Sequence, residues 1–100
     1  MNDYILLMFN DVLDPAQADD GVQWQQYLSM LRASGQFDGG SAIGAGERLK
    51  KGQTAQPAPM ALSGFIRVHA NDLDDAKRFL IGNPNYEAGG TIELRELPKT

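Results

Sequence analysis

His69 is the only histidine in this chain of 100 residues, and histidine is the side chain whose ordinary titration falls near neutral pH. It lies in the alternating segment Gly64-Phe65-Ile66-Arg67-Val68-His69-Ala70. In an extended strand alternate side chains share a face. Phe65, Arg67 and His69 therefore stand together, with Ile66, Val68 and Ala70 opposite. A second alternating segment, Ile92-Glu93-Leu94-Arg95, sets Glu93 and Arg95 on one side. A face that collects these residues can do acid–base chemistry on a small anion. His69 would move the proton, with Glu93 or Asp72 nearby. Arg67 and Arg95, flanking Glu93 if their strands are neighbours, would grip a carboxylate through paired hydrogen bonds. Phe65 would supply an apolar wall, and Tyr86, in the turn NPNYEAGG, would bring a hydroxyl to the mouth of the cleft.

Each of these residues also has a plainer reading. His69 can be a half-exposed imidazole at a strand end, hydrogen-bonded to loop backbone. Arg67, Glu93 and Arg95 can form a cross-strand ladder of ion pairs, which is worth little at a surface. Gly39-Gly40 and Gly44-Ala45-Gly46 do not make a phosphate loop: Leu49 takes the place of the third glycine, and a strand pattern follows rather than a helix. Turn and bulge suit them better. Trp24 and Tyr27 are spaced as core residues of a helix, although such a pair can line a pocket between helix and sheet. One histidine with scattered carboxylates does not make a transition-metal site, and no cofactor motif stands out.

Composition removes other functions. The chain has no cysteine, which excludes disulfides, thiolate nucleophiles, zinc fingers and iron–sulfur clusters and suits a reducing, cytoplasmic setting. Nine Lys and Arg stand against thirteen Asp and Glu, for a formal charge of −4. The densest positive run is Arg48, Lys50 and Lys51. Nucleic-acid binding needs several convergent cations to neutralise phosphates, so it is not expected. The apolar run YILLMF at residues 4–9 is far too short to cross a bilayer. It has no basic segment before it and no small-residue cleavage site after it, so no membrane partner is expected.

The elements that must position the candidate residues follow the order strand, helix, strand, strand, helix, strand. Residues 4–9 are apolar at every position, as in a strand covered on both faces. Residues 10–21 read as a loop with a short turn of helix begun at Pro15. A helix over 22–34 carries Trp24, Tyr27, Leu28 and Leu31 on one stripe. Asp19 or Asp20 caps its start and Gly35 its end. Glycine-dense residues 37–52 read as a weak, bulged strand, and 53–58 as a turn or loop. The third strand covers 62–70. Asp72 caps a second helix over 73–81 whose buried stripe is Leu73, Ala76 and Leu80, and Gly82 and Pro84 end it. Gly89-Gly90 turns the chain into a last strand over 91–97. The sum is an α+β fold, a ferredoxin-like βαββαβ sandwich in a single domain.

The phrases YILLMF, WQQYLSMLRASGQFDGG and SGFIRVHANDLDDAKRFLIGNPNYEAGGTIELREL, in this order, resemble the YCII-related family and its DGPF-type branch. The matching positions are Trp24, Leu31-Arg32 with Gly35, Gly64-Phe65, Asp72-Leu73-Asp74 with Ala76, Pro84, and Ile92-Glu93-Leu94-Arg95. The resemblance implies a ferredoxin-like fold that dimerises sheet to sheet as a dimeric α+β barrel. It also implies company with transcriptional regulators. The sequence departs from the family twice. The Asp-Gly-Pro-Phe signature is missing, replaced by GQTAQPAPMALSG. The histidine–aspartate pair of the better-known branch is not reproduced: the first helix has no histidine, and Asn83 precedes Pro84 where that branch has aspartate.

Both helices of a βαββαβ chain pack on one face of its sheet. The first strand, apolar on both sides, would then leave about three large side chains wet on the other face, each worth roughly 1.5–3 kcal/mol on burial. A homodimer is the expectation, with a cleft between its sheets for a small anionic or aromatic ligand. Three functions remain open: cofactor-free proton transfer, isomerisation or elimination; a non-catalytic ligand-binding or regulatory module; and a structural partner that joins another protein through its sheet.

Overall fold

The first strand, β1 (Asn2–Phe9), lies inside the sheet with a neighbour on each side. Residues 1–99 are described by a computed structural model. After β1 come α1 (Pro15–Ala18), α2 (Gly21–Ala33), β2 (Phe37–Ala42), β3 (Glu47–Arg48), β4 (Gln56–Pro57), β5 (Leu62–Ala70) and α3 (Leu73–Ala76). A 3-10 turn (Lys77–Leu80), α4 (Pro84–Glu87) and β6 (Ile92–Leu97) complete the chain. The architecture is mixed α+β. Its main sheet has four strands in the order β2-β5-β1-β6, every neighbouring pair antiparallel. β3 and β4 pair separately as a small hairpin. Residues 44–57 around it are all exposed. With this arm the radius of gyration is 14.9 Å, against about 13 Å for a compact chain of this length.

The core lies on one side of the sheet. Tyr4, Leu6 and Met8 of β1 and Ile66, Val68 and Ala70 of β5 are buried there, against Tyr27 and Leu31 of α2, Ala76 and Phe79. Trp24 and Leu28 pack against this cluster while only partly buried. α2 begins where Asp20 accepts hydrogen bonds from the Val22 and Gln23 amides, at 2.9 and 3.2 Å. It stops where Gly35 takes a left-handed φ of +72°, the conformation glycine adopts without strain.

The segment after β5 departs from the expected helix. Asp72 caps its start, accepting from the Asp75 amide at 2.7 Å. After one turn of α-helix the chain tightens to 3-10. Three residues per turn put Ala76 and Phe79 directly in line. Phe79 therefore takes the fully buried place, Leu80 packs against the core only partly buried, and Leu73 is left exposed. The turn after Gly82 is a short helix, α4. Asn83 caps it, fully buried, with its Oδ1 accepting from the Tyr86 amide at 3.0 Å. Among the described residues no helix is long and apolar enough to cross a membrane.

Tyr27 ties α2 to the 3-10 turn: its hydroxyl donates to the buried Phe79 carbonyl at 2.6 Å. Burial raises its pKa above the ordinary 10.0, a hydrogen bond with Asn83 working the other way. The neutral phenol is thus favoured more in the folded state than in the unfolded one. That stabilisation is complete below pH 10.0 and is lost as pH rises through the raised folded value. Tyr27→Phe should cost about 1–3 kcal/mol at neutral pH, because it leaves the Phe79 carbonyl unpaired. It should also flatten the loss of stability above pH 10.0. Urea melts at pH 7 and at increasing alkaline pH check both effects.

Candidate functional site

The face of the sheet turned away from the helices carries the candidate residues. Strand register sets them in ranks across β5, β1 and β6: His69–Asp3–Leu97, then Arg67–Ile5–Arg95, then Phe65–Leu7–Glu93. The middle column is apolar, with Ile5, Leu7 and Phe9 half-buried. Phe65 and Leu97 extend it to either side. Charged groups flank this strip, and those on the β5 side converge.

His69 Nδ1 lies 2.6 Å from Asp3 Oδ1 on the neighbouring strand. An ionised carboxylate only accepts hydrogen bonds, so the Nδ1 proton is assigned to this contact and Nε2 becomes the atom that can take up a proton. Nε2 in turn lies 3.8 Å from Asp38 Oδ2, and Arg67 Nη2 lies 3.5 Å from that same oxygen. Gln36 holds the backbone at this point. Its carbonyl accepts from the His69 amide at 2.8 Å, and its side chain donates to the His69 carbonyl at 2.9 Å. The imidazole side chain is 37% exposed, so it is braced by protein and still open to a ligand.

A bulge in β2 helps to build this corner. Phe37 pairs with Val68 and Gly40 with Ile66, so Asp38 and Gly39 together oppose Arg67. Gly39 takes φ +87°, as the extra residue of a bulge often does. The first glycine of the Gly39-Gly40 pair thus lies in a bulge, and its bulge partner Asp38 meets Arg67 and His69.

The remaining candidates do not join this cluster. Arg95 pairs with Glu93 at 3.6 Å on its own strand. β1 lies between β5 and β6, so two strand spacings, about 10 Å, separate Arg67 from Arg95. The clamp around Glu93 required these strands to be neighbours, and they are not. Asp72 caps α3 instead of approaching His69. Phe65 sits beside Leu7, at the apolar end of the face. Tyr86 lies on α4, which packs against α1, α2 and β1. Next to it, Asn85 Nδ2 donates to the Phe9 carbonyl at 3.2 Å, whereas His69 meets Asp3. Six strand residues, about 20 Å, separate those two ends of β1. Sequence spacing alone does not point to the imidazole's partners, Asp3 and Asp38. Asp3 has the same parity as Ile5 and Leu7, which was the available signal, but its pairing with His69 depends on register.

A cavity of about 800 Å³ opens on the other face, between α2 and the β2–β5 edge. Trp24, Leu28 and Arg32 line it from the helix, and Met8, Phe37 and Ile66 from the sheet. Its floor is made of small residues. Gly40, Ala42 and Gly64 occupy core-facing positions where other strand residues carry bulk. A Cβ on Gly40 would come within 2.4 Å of the Phe65 carbonyl oxygen, and one on Gly64 within 2.9 Å of the Ser41 oxygen. The closeness of β2 and β5 thus demands glycine, and the missing side chains leave the space.

No protein-family model matches the chain, and no curated protein does either.

The Asp3 contact predicts a single tautomer for neutral His69. Long-range nitrogen–proton NMR at a pH where the ring is uncharged should show the proton on Nδ1, and Asp3→Ala should let the usual mixture of tautomers return.

Proposed function

We propose that the chain is a YCII-related protein of ferredoxin-like topology. It works as a sheet-to-sheet homodimer with a small anionic compound in the cleft between the sheets. His69 acts there as a cofactor-free acid–base group. The observation that carries this reading is the Asp3–His69 pair, 2.6 Å apart at the edge of an exposed apolar strip. The strand order β2-β5-β1-β6 with helices on one face supports the topology. The half-buried Ile5, Leu7, Phe9 and Phe65 support the dimer. Completing the burial of each is worth about 1 kcal/mol or more, in a domain whose net stability is only about 5–15 kcal/mol.

Each polar group has a role in this reading. Asp3 orients the ring and Nε2 exchanges the proton with the ligand. Arg67, which reaches Asp38 only at 3.5 Å, anchors the ligand's negative charge. A two-fold axis along the strands would lay β6 of one copy over β5 of the other. Arg95 would then return to the neighbourhood of Arg67 through the second copy.

Two measurements test the proposal. Sedimentation velocity at micromolar concentration should show a dimer, and Leu7→Arg should give a folded monomer. Wild-type protein that sediments as single chains would remove the shared cleft. A thermal-shift screen of small carboxylates, followed by assay of the hits, should find turnover that His69→Asn lowers by about 100-fold or more. Turnover unchanged in that variant overturns the acid–base role. Stabilisation without any turnover favours the regulatory reading instead.

A further inference from the structure

We infer that the cavity between α2 and the β2–β5 edge is a second binding site, for a small carboxylate with a flat apolar body whose charge is held by Arg32. This site lies on the helix side of the sheet and the proposed cleft on the other, with Phe65 of β5 bordering both. Its volume of about 800 Å³ falls in the usual range for small-molecule pockets.

The walls are apolar and aromatic. The Trp24 indole is fixed by a hydrogen bond from Nε1 to the Ala18 carbonyl at 2.6 Å and by an edge contact with Tyr27, ring centroids 6.0 Å apart. It therefore offers a rigid flat surface. Phe37 faces the same space. The neutral polar side chains of the lining are already engaged by the protein's own carbonyls. Asn10 donates to Met60 at 3.0 Å, Ser63 to Met8 at 3.3 Å and Asn85 to Phe9 at 3.2 Å. Such a lining rewards an apolar body and offers little to a sugar or a nucleotide.

Arg32 decides the charge. Its guanidinium sits 5.9 Å from the Phe37 ring centroid and forms no ion pair among the described residues. A guanidinium held over an aromatic rim, with its donors free, is suited to a planar carboxylate. The one acidic side chain of the lining, Asp19, precedes the start of α2 while Arg32 is near its end. The length of the helix, about 17 Å, keeps the two apart. One end of the groove is thus positive, and the aromatic walls lie between the two charges.

The chain's single tryptophan makes occupancy visible, because its indole N–H gives one isolated NMR resonance. 2-Naphthoate should move that resonance saturably. The uncharged analogue 2-naphthalenemethanol should bind about tenfold more weakly, the loss expected for one charge-assisted contact. Arg32→Gln should reduce naphthoate to the level of the alcohol and leave the alcohol unchanged. Arg32 is exposed, so this variant should fold normally, which its melting curve will verify. Ala42→Phe should fill the floor and abolish binding of both. Leu7→Arg and His69→Asn, which act on the opposite face, should bind naphthoate as the wild type does. No saturable shift with either probe would overturn the inference. So would equal binding of acid and alcohol, or loss of naphthoate binding in the two opposite-face variants.

Discussion

The central place of β1 is the constraint on which the rest of the structure depends. A strand paired on both sides satisfies all its backbone groups within the sheet, and its side chains must then supply apolar surface to both faces. Tyr4, Leu6 and Met8 do so for the helices. Ile5, Leu7 and Phe9 project the other way, where they remain only half-buried among the described residues. The same strand places Asp3 opposite His69. The apolar strip and the imidazole pair are thus two consequences of one register. A one-residue slip would reverse every side chain, losing the core and the pair together.

The helix-side cavity follows from a second constraint, the close approach of β2 to β5. Backbone contact at Gly40 and Gly64 leaves no room for side chains, and Ala42 adds little bulk. α2 still packs firmly further along the sheet through Tyr27 and Leu31. Trp24 and Leu28 therefore overhang a gap, which explains why two large apolar side chains of the helical stripe are only partly buried. The interior is dense at one end and open at the other because the glycine content of the strands changes along the sheet.

Periodicity made the main elements legible. The stripe of α2, the parity of β5 and β6 and the stop at Gly35 all follow from local spacing, and the structure keeps them. What local spacing does not carry is which strands lie side by side. The reading of Arg67, Glu93 and Arg95 as one clamp rested on β5 meeting β6, and β1 intervenes. Asp3 was legible as a member of the open face but not as a partner of His69. Phe79 was hidden for a different reason. An α-helical period of 3.6 residues selects Leu73, Ala76 and Leu80, whereas the 3-10 turn moves the buried position one residue earlier. Tyr86 was placed by its turn sequence alone, and the short helix that replaced the turn carries it away from the sheet's open face.

Asn83 shows how local structure can govern where chemistry is placed. On the proposed YCII-related reading it stands where the better-known branch has aspartate. Here the side chain is fully buried, caps α4, and points its amide nitrogen at the Met8 sulfur, 3.7 Å away. An ionised aspartate at this position would lie in the core with no cation beside it, at a cost of several kcal/mol. The amide makes the same cap with its oxygen and brings no charge. The carboxylates that do meet the imidazole, Asp3 and Asp38, sit on the open face, where each remains partly exposed. Solvent shares the work of stabilising charge there. The histidine–carboxylate pair of this chain therefore belongs to the sheet, while the helix end that holds Asn83 is given over to packing.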